Sequence, residues 1–239
     1  MIPTIIHYCW FGRGNLPEKA QQCIASWHQY MPDWEYRLWN EENFDINMIP
    51  YTKEAYEARK FAFVSDYVRL WALNNEGGVY FDTDVFVLKA FDELLHYKAF
   101  CGFEGSKHLP LGTCVMASVA GGEWVREQLS LYENRHFIQS NNTFDLTSNV
   151  QLISMNMQKG GFVQNGLEQN YKDLHILPVD FFSPRRTTGE YILTKNTYCD
   201  HLGLGSWLDS DDGWKAKIAR IVGKKNMTRM IKMKRLLFG

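Results

Sequence analysis

Residues 1–40 alternate between strand-like and helix-like patterns of apolar residues, and this alternation constrains the fold more than any other feature. Residues 2–11, "IPTIIHYCWF", form a short apolar run followed by "GRGN", which predicts a buried strand and then a loop. Residues 16–30 carry apolar side chains at helical spacing behind an early proline, which predicts an amphipathic helix. Residues 35–40 predict a second short strand. A strand, a helix and a strand at this spacing open a parallel α/β sheet.

The later patterns continue the same α/β fold class. Residues 52–75 predict one long helix that Gly77 and Gly78 would end, and residues 79–88 predict the next strand. Residues 137–170 are polar, rich in Asn and Gln, and give no clear pattern. Weaker patterns predict three more strands, at 98–103, 113–118 and 174–179. One more helix is predicted at 122–134.

The composition predicts a folded protein without a nucleic-acid partner. Hydrophobic residues make up 45% and charged residues 22% of the 239 positions, and a net charge of −1 gives no general affinity for nucleic acid. The five cysteines are odd in number and form no CxxC pair, which disfavours a disulfide framework or a zinc knuckle and favours a reducing compartment. Because the N-terminus lacks a basic region followed by a long apolar stretch, we expect a cytoplasmic protein.

Positive charge is concentrated at the C-terminus. Residues 215–239 contain nine Lys or Arg and no Asp or Glu, with apolar residues between the cations. On a helix, residues 214–239 would be amphipathic and basic, as are segments that bind anionic bilayer surfaces. The alternatives are a helix packed on the domain with its cations in water, and a partly disordered tail. The predicted organisation is one domain over 1–213 followed by the basic segment 214–239.

The stretch 77–84, "GGVYFDTD", sets two carboxylates beside apolar residues, where an uncompensated charge is costly. A strand's period of two would place Tyr80, Asp82 and Asp84 on one face. Two carboxylates on one face suit a hard divalent cation such as Mn²⁺ or Mg²⁺. The alternative is a solvated acidic loop where the strand leaves the sheet.

The stretch 63–70, "FVSDYVRL", combines a hydroxyl, a carboxylate and a guanidinium. Spacings of three and four place Ser65, Asp66 and Arg69 on one helical face. A surface ion pair is the simpler interpretation, but the many apolar neighbours predict a mostly buried helix. A buried group of this kind can hydrogen-bond a polyhydroxylated ligand and neutralise a phosphate.

Three ordered motifs, "IPTIIHYCWFG", "SDYVRL" and "NNEGGVYFDTDV", resemble the DxD-containing glycosyltransferases of family 32, of the capsular-polysaccharide and Och1-like type. These enzymes are related to the catalytic domain of the clostridial glucosylating toxins. The resemblance covers residues 1–105 and, more loosely, "HLGLGSW" at 201–207. It implies a GT-A fold with a Rossmann-like, mixed, mainly parallel sheet flanked by helices, to which the pattern of residues 214–239 adds a helical basic C-terminus. It also implies a nucleotide-diphosphate-sugar donor, a divalent metal and retention of anomeric configuration.

The resemblance implies roles for individual residues on the donor side. Trp10 would stack on the nucleotide base beside the backbone of Cys9, and Asp66 and Arg69 would hold the transferred sugar. Asp82 would contact ribose, sugar and metal, so that Asp66, Arg69 and Asp82 are the candidate catalytic residues. The candidate substrate-binding residues are Cys9, Trp10, Phe61, Ser65, Tyr80, Ser206 and Trp207.

The resemblance also implies a metal site. Asp84 would be the direct ligand, Asp82 a second one, and His201 would complete the site because a neutral imidazole suits Mn²⁺. Ser206 and Trp207 would close over the diphosphate once donor is bound. The chain has "LTSNV" at 146–150 where related enzymes often carry Gly-Pro, and no role is assigned to Asn149.

The predicted function is metal-dependent, retaining transfer of a hexose or N-acetylhexosamine from a nucleotide-diphosphate sugar, foremost a UDP-sugar. The predicted acceptor is a saccharide, lipid-linked, in bacterial surface polysaccharide synthesis, with the protein cytoplasmic and peripheral on the inner face of the cell membrane. Two alternatives stay open. One is a DxD-type Mg²⁺ phosphohydrolase, which needs further carboxylates on neighbouring strands. The other is a non-catalytic sugar- or nucleotide-binding module, which would not require Asp84.

Overall fold

A computed structural model describes residues 1–105, 110–184 and 193–203. Met1–His201 form one compact unit, and Leu202–Gly239 form a second, of which only the first two residues are described. The predicted basic helix at 214–239 and the domain boundary at 213 therefore lie outside the described residues. Within the described ranges, no helix is long and apolar enough to cross a membrane.

The described residues form a seven-stranded sheet, a separate two-stranded sheet and five α-helices. The strands are β1 (Ile5–Cys9), β2 (Glu35–Trp39), β3 (Gly78–Phe81), β4 (Val85–Val87), β5 (Ala99–Phe103), β6 (Leu111–Ser118), β7 (Gln169–Tyr171), β8 (Leu174–Leu177) and β9 (Cys199–His201). The helices are α1 (Glu18–Tyr30), α2 (Pro50–Glu57), α3 (Phe61–Glu76), α4 (Glu123–Ser130) and α5 (Asn149–Lys159).

The large sheet has the order β2-β1-β3-β6-β5-β8-β7. Its β2–β1, β1–β3 and β5–β8 pairings are parallel, which confirms the parallel β1-α1-β2 opening. The β3–β6, β5–β6 and β7–β8 pairings are antiparallel. A mixed sheet flanked by helices is therefore confirmed, but its parallel pairings do not outnumber the antiparallel ones. The reason is that β5 and β6 form an antiparallel hairpin, which inserts between β3 and β8.

Alternate residues of β3 enter two cores on opposite faces of the sheet. Val79 and Phe81 pack with Trp27 of α1 in one core, whereas Tyr80 packs with Val64 of α3 in the other. All of these side chains are buried, as a period of two predicts for a strand covered on both faces. The residue that follows Phe81 is thereby directed to the same side as α3.

The predicted helix over 52–75 is wrong, because two helices occupy this stretch. The helical conformation is interrupted between α2 and α3 at Arg59, which has a left-handed backbone with φ of 58°. The backbone N–H of Lys60 then bonds to the carbonyl of Ala55 across the break. The predicted end of the second helix is confirmed, since Gly77 stands just beyond it with φ of 69°.

The predicted strand over 79–88 is also wrong. Strand β3 ends at Phe81, the chain turns, and β4 continues in the second sheet, paired antiparallel with β9. The stretch 137–170, which gave no sequence pattern, contains α5 and the start of β7. Helix α5 begins with a capping box between Ser148 and Gln151, in which each side chain accepts a hydrogen bond from the other residue's backbone N–H.

Candidate functional site

The two aspartates lie in the turn between β3 and β4. Two backbone hydrogen bonds fix this turn: the N–H of Asp82 donates to the carbonyl of Cys114 at 2.9 Å, and that of Val85 donates to the carbonyl of Asp82 at 3.0 Å. The strand period predicted Asp82 and Asp84 on one face of a continuous strand, and this prediction is wrong because a turn separates β3 from β4. The turn nevertheless brings their carboxylates together.

The pairing of β4 with β9 brings in a third ligand from far along the chain. Val85 pairs with His201, and Nε2 of His201 lies 3.3 Å from Oδ1 of Asp84. One ligand atom from each of Asp82, Asp84 and His201 lies within 4.8 Å of the other two. Two carboxylate oxygens and one imidazole nitrogen form a donor set that fits Mn²⁺ or Mg²⁺. The three predicted ligands are thus placed together.

Arg69 connects the helix carboxylate to the turn. Its side chain is 7% exposed, and Nη2 lies 3.2 Å from Oδ1 of Asp66 and 3.3 Å from Oδ1 of Asp82. Its Nη1 donates to the carbonyl of Thr113 at 2.8 Å, and the guanidinium stacks 4.6 Å from the centroid of the Tyr80 ring. Fixed on four sides, the guanidinium is oriented before any ligand binds.

Tyr80 and Cys9 extend this cluster toward β1. The Tyr80 hydroxyl donates to Oδ1 of Asp82 at 2.9 Å. Cys9 lies beside Tyr80 and Ser65, and burial raises the pKa of its thiol to about 12. Cys9 is therefore a buried thiol and not a nucleophile at neutral pH. The Ser65 hydroxyl donates to the carbonyl of Phe61 at 3.3 Å.

Burial makes the two carboxylates that contact Arg69 costly to ionise. It raises the pKa of Asp66 to about 6, although Arg69 and a backbone N–H of Asn149 act in the opposite direction. Burial also raises the pKa of Asp82, again against Arg69. A charged or hydroxylated ligand that adds donors here would favour the ionised carboxylates. Perturbed carboxylates beside a fixed guanidinium are typical of functional sites.

Asn149, for which the sequence indicated no role, holds the Asp66 segment. Its backbone N–H donates to Oδ2 of Asp66 at 3.0 Å, and its Nδ2 donates to the Asp66 carbonyl at 3.1 Å. Asn149 is the first residue of α5, so the free N–H groups at the N-terminus of that helix face a carboxylate. The Ser148-x-x-Gln151 capping box was the available sequence signal.

Trp10 and Phe61 lie where the chain leaves β1. The Trp10 ring N–H donates to the carbonyl of Gly14 at 2.6 Å, so the indole is held against its own loop. Phe61, at the start of α3, packs on Gly12, where a Cβ would overlap the Phe61 ring. Because β1 and β3 are parallel neighbours, this loop and the Asp82 turn lie at the same edge of the sheet. Ser206 and Trp207 lie outside the described residues.

Comparisons with known proteins find similar sequences among glycosyltransferases. Residues 17–101 match the family described as "Glycosyltransferase sugar-binding region containing DXD motif". Inositol phosphoceramide mannosyltransferase 3 of Schizosaccharomyces pombe is 36% identical over 105 residues, which cover 41% of this chain and 28% of that protein. Mannosyl phosphorylinositol ceramide synthase of Saccharomyces cerevisiae is 31% identical over 125 residues, covering 50% of this chain and 31% of that protein. The chain thus spans about a third or less of these relatives.

The fold also has a solved counterpart. PaToxG glycosyltransferase superposes with a TM-score of 0.51 at 17% identity, covering 67% of this chain and 69% of that one. The resemblance drawn from the motifs is thereby confirmed: residues 17–101 match the sugar-binding region of the DXD-containing, family 32-like glycosyltransferases, and the fold is of the GT-A type. The matched range contains Asp66, Arg69, Asp82 and Asp84, whereas His201 lies beyond it.

Proposed function

We propose that the protein is a metal-dependent, retaining glycosyltransferase that moves a hexose or N-acetylhexosamine from a nucleotide-diphosphate sugar to a saccharide acceptor. One observation carries the proposal. The carboxylates of Asp82 and Asp84 converge with His201, and Arg69 joins them to Asp66, all at the sheet edge where the β1 loop lies. A cation site, a fixed guanidinium and a buried carboxylate side by side are the groups that a sugar diphosphate needs.

The residues divide the chemistry between the two ends of the scissile bond. A divalent cation held by Asp82, Asp84 and His201 would supply a Lewis acid for the diphosphate leaving group. Arg69 adds a guanidinium that is already oriented, so charge developing on the diphosphate is stabilised with little reorganisation. At the other end, the carboxylate of Asp66 would accept hydrogen bonds from the sugar and stabilise its oxocarbenium-like transition state.

Retention of configuration is proposed through same-face attack by the acceptor hydroxyl beside the departing phosphate. Two observations support an attack without a covalent protein intermediate. Cys9 has a buried thiol with a raised pKa. The Asp66 carboxylate accepts a hydrogen bond from the backbone N–H of Asn149 and pairs with Arg69, and these contacts disfavour its attack on the sugar as a nucleophile.

The donor is proposed to be a UDP-sugar, and the names of the two mannosyl-transferring relatives add mannose to the candidate sugars. A lipid-linked acceptor is consistent with the ceramide in those names and with the basic segment 214–239, which would bind the inner face of the cell membrane. The cytoplasmic location and the role in bacterial surface polysaccharide synthesis stay predictions, since both relatives are fungal proteins.

The test is release of nucleoside diphosphate from a panel of UDP-sugars and nucleotide-diphosphate mannose, with Mn²⁺, with Mg²⁺ and with EDTA. We expect one donor to be turned over, only with metal. Asp84→Asn should abolish this release, and the matched surface variant Asp45→Asn, whose carboxylate caps a short 3₁₀ turn, should retain it. The anomeric configuration of the product tests retention.

The two alternatives give different results in the same assay. A phosphohydrolase would release inorganic phosphate from simple phosphate esters and would show no dependence on the sugar. A binding module would bind a donor without turnover, and Asp84→Asn would leave that binding unchanged. Either result would contradict the transferase proposal.

A further inference from the structure

His201 has a second set of potential metal ligands besides the two aspartates. One ligand atom from each of Glu104, Cys114 and His201 lies within 4.8 Å of the other two. Nδ1 of His201 lies 3.0 Å from Oε1 of Glu104, while its Nε2 lies 3.3 Å from Oδ1 of Asp84. The two ring nitrogens therefore face different carboxylates, Nδ1 that of Glu104 and Nε2 that of Asp84.

The hairpin of β5 and β6 places the other two ligands of this group. Glu104 follows β5 directly, and its N–H donates to the carbonyl of Pro110 at 2.9 Å, which continues the hairpin pairing. Cys114 lies in β6, and its carbonyl accepts the N–H of Asp82. Its thiol is buried, but the side chains of Glu104 and His201 are 25% and 18% exposed, which leaves a path from solvent.

The ligand atoms of Glu104, Cys114 and His201 differ in chemistry from those of the DXD turn, the turn that carries Asp82 and Asp84, and of the DXD site that these two form with His201. A thiolate, an imidazole and a carboxylate suit Zn²⁺, which accepts three protein ligands and an open fourth position. Soft sulfur disfavours Mg²⁺ and Mn²⁺, which prefer oxygen. We propose that Glu104, Cys114 and His201 form a second metal site, selective for Zn²⁺-like ions, that competes with the DXD site for His201.

Competition follows from the two nitrogens of one ring. A neutral imidazole carries a proton on one nitrogen and a lone pair on the other, so it can give a lone pair to one site at a time. When Zn²⁺ takes the Nδ1 lone pair beside Glu104, Nε2 carries the proton and can only donate to Asp84. The DXD site then loses its nitrogen ligand and binds Mn²⁺ more weakly. Zn²⁺ binding at this second site (Glu104, Cys114 and His201, the soft site) does not depend on the proposed transferase activity, whereas the competition rests on the proposed metal site at Asp82, Asp84 and His201.

The first test uses Co²⁺ as the probe, because cobalt bound to a thiolate shows a near-ultraviolet charge-transfer band. We expect this band when Co²⁺ is added to the full chain, and we expect Zn²⁺ to remove it. Cys114→Ala should abolish the band, whereas Cys101→Ala, a matched loss of a buried thiol on the neighbouring strand, should keep it. Absence of the band from the unmodified chain, or its persistence in Cys114→Ala, would overturn the proposal.

A second variant, Glu104→Gln, tests the site if Cys114→Ala fails to fold. Glu104→Gln changes a partly exposed side chain and keeps the thiol, and circular dichroism would verify its fold. Because even outer partners of metal ligands are worth about 10- to 100-fold in affinity, loss of this ligand should weaken Zn²⁺ binding by at least ~10-fold. Unchanged Zn²⁺ affinity in a folded Glu104→Gln would also contradict the site.

The competition is tested by electron paramagnetic resonance of Mn²⁺. Zn²⁺ should release protein-bound Mn²⁺ from the unmodified chain at concentrations that occupy the soft site. In Cys114→Ala, much higher Zn²⁺ concentrations should be needed. Equal release from both proteins would mean that Zn²⁺ acts directly at the DXD turn, and the competition would be refuted.

Discussion

The buried Arg69 gives the sharpest prediction about stability. Arg69→Met keeps most of the side-chain volume but removes the only charge shown between Asp66 and Asp82 in the described contacts. Removing one partner of a buried ion pair costs about 3–5 kcal/mol, because the remaining charge is left uncompensated. We expect Arg69→Met to lower the free energy of unfolding by this amount at pH 8.

The loss of unfolding free energy caused by Arg69→Met should depend on pH, and the titration of the Asp66 carboxyl determines whether it grows or shrinks as the pH rises. Burial raises the pKa of Asp66 from 3.8 in the unfolded chain to about 6 in the folded protein. The stability that this carboxyl contributes is therefore fully present below pH 3.8, where it is protonated in both states, and is lost as the pH rises through about 6. Without the guanidinium, the pKa values of Asp66 and Asp82 rise further. At pH 5 the Asp66 carboxyl of the variant is protonated and needs no counter-charge, so the loss should be smaller than at pH 8.

The assay is urea unfolding followed by tryptophan fluorescence at pH 5 and pH 8, without metal. Arg37→Met is the matched control, because Arg37 is 34% exposed and pairs with Glu35 and Glu76 at the surface. Its loss should cost about 1 kcal/mol or less at either pH. Adding Asp66→Asn to Arg69→Met should restore part of the stability. An equal loss at both pH values, with no rescue, would refute the reasoning.

Two further predictions concern the frame of the site. Asn149→Ala removes the 3.1 Å hydrogen bond from the Asn149 Nδ2 to the part-buried Asp66 carbonyl and should cost about 0.5–1.5 kcal/mol of unfolding free energy; a loss below ~0.5 kcal/mol would contradict the contact. Gly12→Ala adds a Cβ that overlaps Phe61 at a φ of 96° and should cost about 1–3 kcal/mol, measured by urea unfolding. Gly14→Ala meets no atom within 4 Å and should change stability by less than ~0.5 kcal/mol, so equal effects of the two glycine variants would argue against the packing.

The local patterns predicted those parts of the fold that adjacent residues decide. The opening strand, helix and strand appear as predicted because apolar spacing and an early proline are local signals. The break at Arg59 was not predictable in this way, because a left-handed residue without glycine carries no pattern of its own. The antiparallel insertion of β6 was missed for a related reason: pairing direction depends on where the hairpin docks, not on the strand's own residues.

The candidate site shows the same division. Ser65, Asp66 and Arg69 were predicted to share a face because helical spacing alone determines it. The convergence of Asp82 and Asp84 was predicted for the wrong reason, since a turn and not a continuous strand brings them together. The positions of their partners depend on contacts distant in sequence, namely the β4–β9 pairing for His201, the β5–β6 hairpin for Glu104 and Cys114, and the N-terminus of α5 for Asn149.

The proposed function requires that the carboxylates of Asp82 and Asp84 support metal-dependent turnover of a sugar-nucleotide donor. The most direct measurement is the rate of nucleoside diphosphate release from the best donor by the unmodified chain, by Asp84→Asn and by Asp45→Asn, each with Mn²⁺ and with EDTA. We expect release by the unmodified chain and by Asp45→Asn with Mn²⁺ but not with EDTA, and none by Asp84→Asn. Release that persists in EDTA or in Asp84→Asn would contradict it.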